Sequence, residues 1–87
     1  MSLIVMGCQI RAGRALAGLR RSDLAKAAGV HANAVSYWEM HERIPTKREP
    51  HAVKRIREAL SLSGIETFSD PSPGVRLSPV VEGKIAA

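Results

Sequence analysis

Between residues 21 and 40, RSDLAKAAGVHANAVSYWEM, the apolar positions come in two short helical sets. Leu24 and Ala28 stand one helical turn apart, with Ala25 beside them, and Val35 and Trp38 repeat that relation further on. Each set lines one face of a helix, so the spacing predicts two short helices joined by a tight turn. Ser22 is the expected N-cap of the first. The second is expected to begin between His31 and Asn33. Gly29 falls where the first helix must stop and the chain must reverse, a place where positive φ carries no Cβ penalty for glycine. Ala25 is small, as a steep helix crossing over a short turn requires.

The flanking segments carry weaker patterns. Residues 8–18 predict a first helix with an apolar stripe of Ile10, Ala15 and Leu16, Leu19 just beyond, and Gly18 as C-cap. Gly13 inside it costs about 1 kcal/mol relative to alanine, unless it marks a close helix contact. Residues 41–50, HERIPTKREP, are a polar loop broken by Pro45 and Pro50. Residues 50–62 predict a further helix, with Pro50 in its first turn and Val53, Ile56, Ala59 and Leu60 facing inward. Ser63 and Gly64 end it. Residues 65–77 read as a β-hairpin, with short β-prone runs around the turn SDPSPG. Ile65 and Phe68 cannot share a face of a regular strand. A lone hairpin is marginal in water, so this one must pack on the bundle or pair with a second chain. Residues 1–7 are expected to be an unstructured tail or a short strand that helps dimerisation, and residues 78–87 a flexible tail. The fold class that follows is mainly α, a small bundle of about four helices over residues 8–64 containing a helix-turn-helix, followed by a short β-hairpin.

Composition narrows the class. The 87 residues make one domain, 45% hydrophobic, whose aromatics are Tyr37, Trp38 and Phe68. The core must be built from Leu, Ile, Val and Ala. A core this small is modestly stable, which favours a homodimer. The net charge of +5 favours a polyanionic partner, nucleic acid or an anionic membrane. Basic residues are not ranged opposite a broad apolar face, so a membrane role lacks support. The apolar run 3–6 is too short for a signal peptide or a membrane span. Cys8 is the single cysteine, which permits no intrachain disulfide and fits a cytoplasmic protein. Cys8, His31, His41 and His51 lack metal-ligand spacing, and there is no Gly-rich phosphate loop or nucleophile motif. No enzyme activity, metal, cofactor or small-molecule substrate is expected.

The pattern of residues 21–40 resembles the helix-turn-helix of the phage-repressor-like family, the Cro/C1 or XRE type. Ala25 fills its small position, Gly29 its glycine, and Leu24, Ala28, Val30, Val35 and Trp38 its apolar positions. Trp38 is larger than the usual leucine or isoleucine. The resemblance extends over residues 9–65, and residues 64–66 and 74–77 are similar to segments of several bacterial regulators of this type. It implies a dimeric transcriptional regulator that binds double-stranded DNA, its third helix in the major groove. Alignment places Ala32, Asn33 and Tyr37 at base-contacting positions. The Asn33 amide can bond adenine N6 and N7, and Ala32 offers a methyl to thymine. Tyr37 can donate to a phosphate or a base edge.

Phosphate contacts are expected from Arg21, His31, Ser36, Arg43, Lys47 and Arg48. Arg20 and Arg21 open a helix against its dipole, which makes sense beside a phosphate. His31 stands where the family has a serine or threonine cap and is expected to cap less well. The resemblance also implies an ion pair between Arg14 and Glu39 that locks the first helix to the third. The alternative is a protein-interaction or antitoxin-like module of the same fold. It would show an exposed apolar patch around the third helix in place of gathered cations.

Overall fold

The computed structural model describes residues 3–78. Four helices precede an antiparallel hairpin: α1 (Gly7–Ala17), α2 (Arg21–Ala28), α3 (Ala32–Glu39), α4 (His51–Leu62), β1 (Ile65–Phe68) and β2 (Gly74–Leu77). This is the mainly α bundle with a C-terminal hairpin that the pattern predicts. Leu24, Ala25 and Ala28 of α2 meet Val35 of α3 and Val53, Ile56, Ala59 and Leu60 of α4 in one core. Ile10 of α1 and Ile65 of β1 close it.

Three local expectations are corrected. Ala15 and Leu16 of α1 are exposed, and the inward face is Gln9, Ile10 and Gly13. A Cβ on Gly13 would stand 3.3 Å from the side chains of Leu60 and Ile65. The backbone of α1 therefore lies against them, and the helix is rolled away from Ala15. Ser22 is not the N-cap of α2, since Arg20 holds that position. The Asp23 carboxylate reaches back to accept the Arg20 N–H at 2.9 Å, satisfying a donor that a serine cap would not have reached. Third, residues 3–6 are neither a tail nor a strand. Ile4 is 1% exposed in the core. The Leu3 N–H donates to the Thr67 carbonyl at 3.3 Å, and the Ile44 N–H donates to the Val5 carbonyl at 2.9 Å. The flexible-tail reading at 79–87, like residues 1–2, lies outside the described residues.

Gln9 joins this strap to the hairpin. Its side chain is buried at the start of α1, with Oε1 accepting the N–H groups of Val5 at 2.6 Å and Met6 at 3.0 Å. Its Nε2 lies 3.0 Å from the Leu3 carbonyl, 2.9 Å from that of Phe68 and 3.1 Å from that of Gly74. One amide thus serves the chain start and both strands. In the hairpin, Ile65 stands opposite Leu77, Glu66 opposite Arg76, Thr67 opposite Val75 and Phe68 opposite Gly74. Ile65 and Thr67 take the buried face while Glu66 and Phe68 turn outward, so the strand alternates although Ile65 and Phe68 do not match.

Candidate nucleic-acid interface

The turn between α2 and α3 follows from Gly29. Its φ of 70° ends α2 in the left-handed region, and the Val30 N–H returns to the Ala25 carbonyl at 3.0 Å. α3 then starts at Ala32. His31 caps it, since its Nδ1 accepts the Asn33 N–H at 3.0 Å. That bond requires the neutral tautomer with its proton on Nε2, which leaves an N–H donor facing away from the helix. An imidazole nitrogen thus takes the place of the usual hydroxyl at this cap.

Val35 seals the inner side of α3, and Trp38 packs partly against the core. Asn33 and Tyr37, one turn apart, are exposed together on the outer side. Ser36 is half-buried. Ala32 is half-buried too and packs against the core.

The far end of α3 is held by Glu39, whose side chain is only 3% exposed. Arg14 donates to it from Nε at 2.7 Å and from Nη2 at 3.3 Å, while its Nη1 donates to the Leu19 carbonyl at 3.1 Å. Arg21 donates to the same carboxylate from Nε at 3.2 Å. One acid therefore ties α1, α2 and the connection between them to α3. Arg20 and Arg21 both have acidic partners within the protein. Arg20 pairs with Asp23 at 3.1 Å and Arg21 with Glu39. The Arg21 side chain keeps 53% of its exposure, so guanidinium N–H groups remain for a second acceptor. Hydrogen bonds from the Arg20 guanidinium and backbone N–H hold the Asp23 carboxyl below its ordinary pKa.

α3 also butts end-on against α1. A Cβ on Gly7 would come within 2.6 Å of the Glu39 carbonyl oxygen and 2.5 Å of that of His41, and would also strike that of Trp38. The Gly7 N–H donates to the His41 carbonyl at 2.8 Å. The positive end of one helix dipole thus meets the negative end of the other. His41 folds over this junction, its Nδ1 donating to the Tyr37 carbonyl at 2.9 Å and its ring centroid 4.5 Å from Tyr37 and 4.6 Å from Trp38.

The following loop is pinned at both ends. Ile44 is buried, and Glu49 takes a two-pronged contact from Arg57 of α4 at 2.9 and 3.0 Å. Exposed Lys47 and Arg48 lie between the pins and exposed Arg43 just before them. Sequence reasoning missed Gln9, Ile44 and the second partner of Glu39. Ile44 had a signal, a lone aliphatic residue in a charged loop. Gln9 had none, because a glutamine near a helix start reads as a surface residue.

Among the described residues no three His, Cys, Asp or Glu side chains gather where they could hold a metal, and no helix is long and apolar enough to cross a membrane. No curated protein matches the chain. Residues 10–49 match the family model described as helix-turn-helix, a span from inside α1 to the loop pin Glu49 that takes in Arg14, Arg21, all of α3 and Lys47. By that match and the geometry of α2, Gly29 and α3, the segment is a helix-turn-helix of the Cro/C1 (XRE) type, a family of DNA-binding domains.

Proposed function

We propose that this protein is a cytoplasmic transcriptional regulator that binds double-stranded DNA in a sequence-specific way, as a homodimer on a two-fold site. The observation that carries the reading is the outer face of α3. Asn33 and Tyr37 are exposed on a helix sealed behind by Val35 and clamped at its end by Glu39. A reading helix must be held rigidly if its side chains are to meet base edges in register. Asn33 then takes adenine as a bidentate partner, Tyr37 a base edge or phosphate, and the half-buried Ala32 at most a thymine methyl. Arg21, the Nε2–H of His31, Ser36, Arg43, Lys47 and Arg48 take phosphates. Each phosphate contact adds about one unit to the salt slope of binding.

The test is a salt titration of binding to random-sequence duplex DNA, comparing the parent with Arg21→Ala plus Lys47→Ala. The expected outcome is steep weakening with salt and a shallower slope in the variant. A selection for the specific site follows, on which Asn33→Ala should cost about 1–3 kcal/mol and relax one base position. Tyr37 and Met40 are 56% and 85% exposed, which also suits a protein-binding face. No binding to duplex DNA even at low salt would refute the DNA reading and leave that alternative.

A further inference from the structure

We infer that two copies of this chain associate through the free edge of β2, with β2 of one copy pairing antiparallel to β2 of the other about Arg76. The inference rests on the two-copy reading above and names the surface that reading leaves open. The residues at the chain start and the hairpin are the two candidate surfaces, and the structure separates them.

The phase of the ladder fixes which backbone groups face out of the hairpin. Ser78 donates its N–H to the Gly64 carbonyl at 2.8 Å. Glu66 with Arg76 and Phe68 with Gly74 stand two and four residues along the same register. In an antiparallel pair, hydrogen-bonded pairs alternate with non-bonded ones. The backbone groups of Ile65, Thr67, Val75 and Leu77 therefore point out of the hairpin. On the β1 side the Thr67 carbonyl already takes the Leu3 N–H, and Ile4, locked in the core, holds the strap beside that edge. The chain start is thus spent within its own molecule. On the β2 side, no described residue hydrogen-bonds the outward N–H and C=O groups of Val75 and Leu77. Leu77 is 51% exposed although it stands opposite buried Ile65, on the sheet face that packs against the bundle.

This edge is complementary to itself. Centred on Arg76, the pairing sets Val75 of each copy against Leu77 of the other, in two hydrogen-bonded pairs. Both apolar pairs fall on the bundle side of the sheet, where Leu77 now lacks cover. Arg76 would face Arg76 of the second copy, but each is neutralised by Glu66 of its own hairpin and lies with its guanidinium carbon 5.1 Å from its own Phe68 ring centroid. The strand GVRL holds no proline, and its one charged residue, Arg76, is paired with Glu66 of the same hairpin. Pairing turns a marginal two-stranded hairpin into a four-stranded sheet. The edge is short, below the roughly 1,000 Å² that a stable interface buries, so association is weak in free solution and strengthens when both copies sit on one duplex.

The test traps the pair covalently. In a Cys8→Ser background, Arg76→Cys places the introduced thiols at a non-bonded pair, where Cα atoms about 4.5 Å apart permit a disulfide. Under mild oxidation Arg76→Cys is expected to cross-link at least tenfold faster than Glu66→Cys. Adding Val75→Pro, which removes an outward N–H and leaves the ladder to β1 intact, is expected to slow cross-linking at least tenfold. Equal rates at positions 66 and 76, or an unchanged rate with Val75→Pro, would overturn the inference. If circular dichroism shows that Val75→Pro does not fold, Leu77→Lys replaces it with the same expectation. Salt-dependent binding to random duplex DNA is scored separately on the parent chain. Loss of that binding with cross-linking intact refutes the DNA reading alone, and the reverse result refutes this inference alone.

Discussion

The helix-turn-helix and the hairpin with its N-terminal strap are held together by opposite means. In residues 21–39 the parts that touch are close in sequence, with α2, Gly29 and α3 following one another and apolar residues meeting at helical spacing. In the hairpin and strap the decisive contacts run from Gln9 to Phe68 and Gly74, separations of 59 and 65 residues, and pass through one buried amide. The first region spreads its stability over many interchangeable aliphatic contacts. The second concentrates it in a polar hub, where losing one side chain orphans several buried groups at once. A face that reads DNA gains from the first arrangement, because the loss of one aliphatic contact leaves α3 held by the others and by Glu39. A sheet edge that takes up a partner tolerates the second.

The strongest way to break this contrast is Gln9→Leu. It leaves the N–H groups of Val5 and Met6 and the carbonyl of Leu3 without their partner, and takes a second donor from the carbonyls of Phe68 and Gly74. A loss of about 3 kcal/mol or more is expected in urea unfolding. Amide exchange should quicken in β1 and β2 before α2 and α3. Equal acceleration in both regions would show a single cooperative unit and dissolve the comparison.

Glu39→Gln tests the other side. It keeps the shape but removes the charge that Arg14 and Arg21 share. Because those side chains are 17% and 53% exposed, water replaces part of what is lost. About 2 kcal/mol of destabilisation is expected, below the range for a fully buried pair. Binding to a selected DNA site should fall more than binding to random DNA, since the aim of α3 is what suffers. An equal fall on both would mean that Glu39 acts on charge alone.

His31→Ala removes the cap of α3 and should cost about 1 kcal/mol, read as faster exchange at the Asn33 amide. Protection unchanged there would remove the cap from the account.

The smallest effect is a pH dependence at Asp23. Its carboxyl titrates below the ordinary value in the folded chain because Arg20 hydrogen-bonds the ionised form. The stabilisation is present above the unfolded pKa, roughly 3.9, and is lost as pH falls through the lower folded value. Asp23→Asn should flatten the acid limb of the stability profile in that window. A profile identical to the parent's would show that the pairing does not persist in solution.

Legibility follows the same division. Leu24, Ala25, Ala28, Gly29 and Val35 could be read because helical period and positive φ are local constraints, met or missed within a few residues. The inward face of α4 was readable for the same reason. Ala15 and Leu16 misled because period alone says that a helix has an apolar side, not that Gly13 lets α1 roll its backbone onto Leu60 and Ile65. Ser22 misled because Asp23, a residue later, reaches back to the better donor. At the interface, Asn33 and Tyr37 stand out from the spacing of their apolar neighbours. The pairing of Arg21 with Glu39 does not, because it joins two helices whose distance no local pattern encodes.

By itself, then, the amino-acid sequence determined which segments are helical, which turn carries glycine, and that Asn33 and Tyr37 of α3 turn outward. Each of these depends on the conformational preferences of a few consecutive residues. Tertiary structure alone decided that a buried Gln9 holds the chain start to both strands, that Glu39 serves two arginines, that Gly7 must be bare against the carbonyls ending α3, and that β2 keeps the open edge. Those outcomes depend on distances between segments remote in the chain. They are set only once the whole core has closed and every buried donor has found its acceptor.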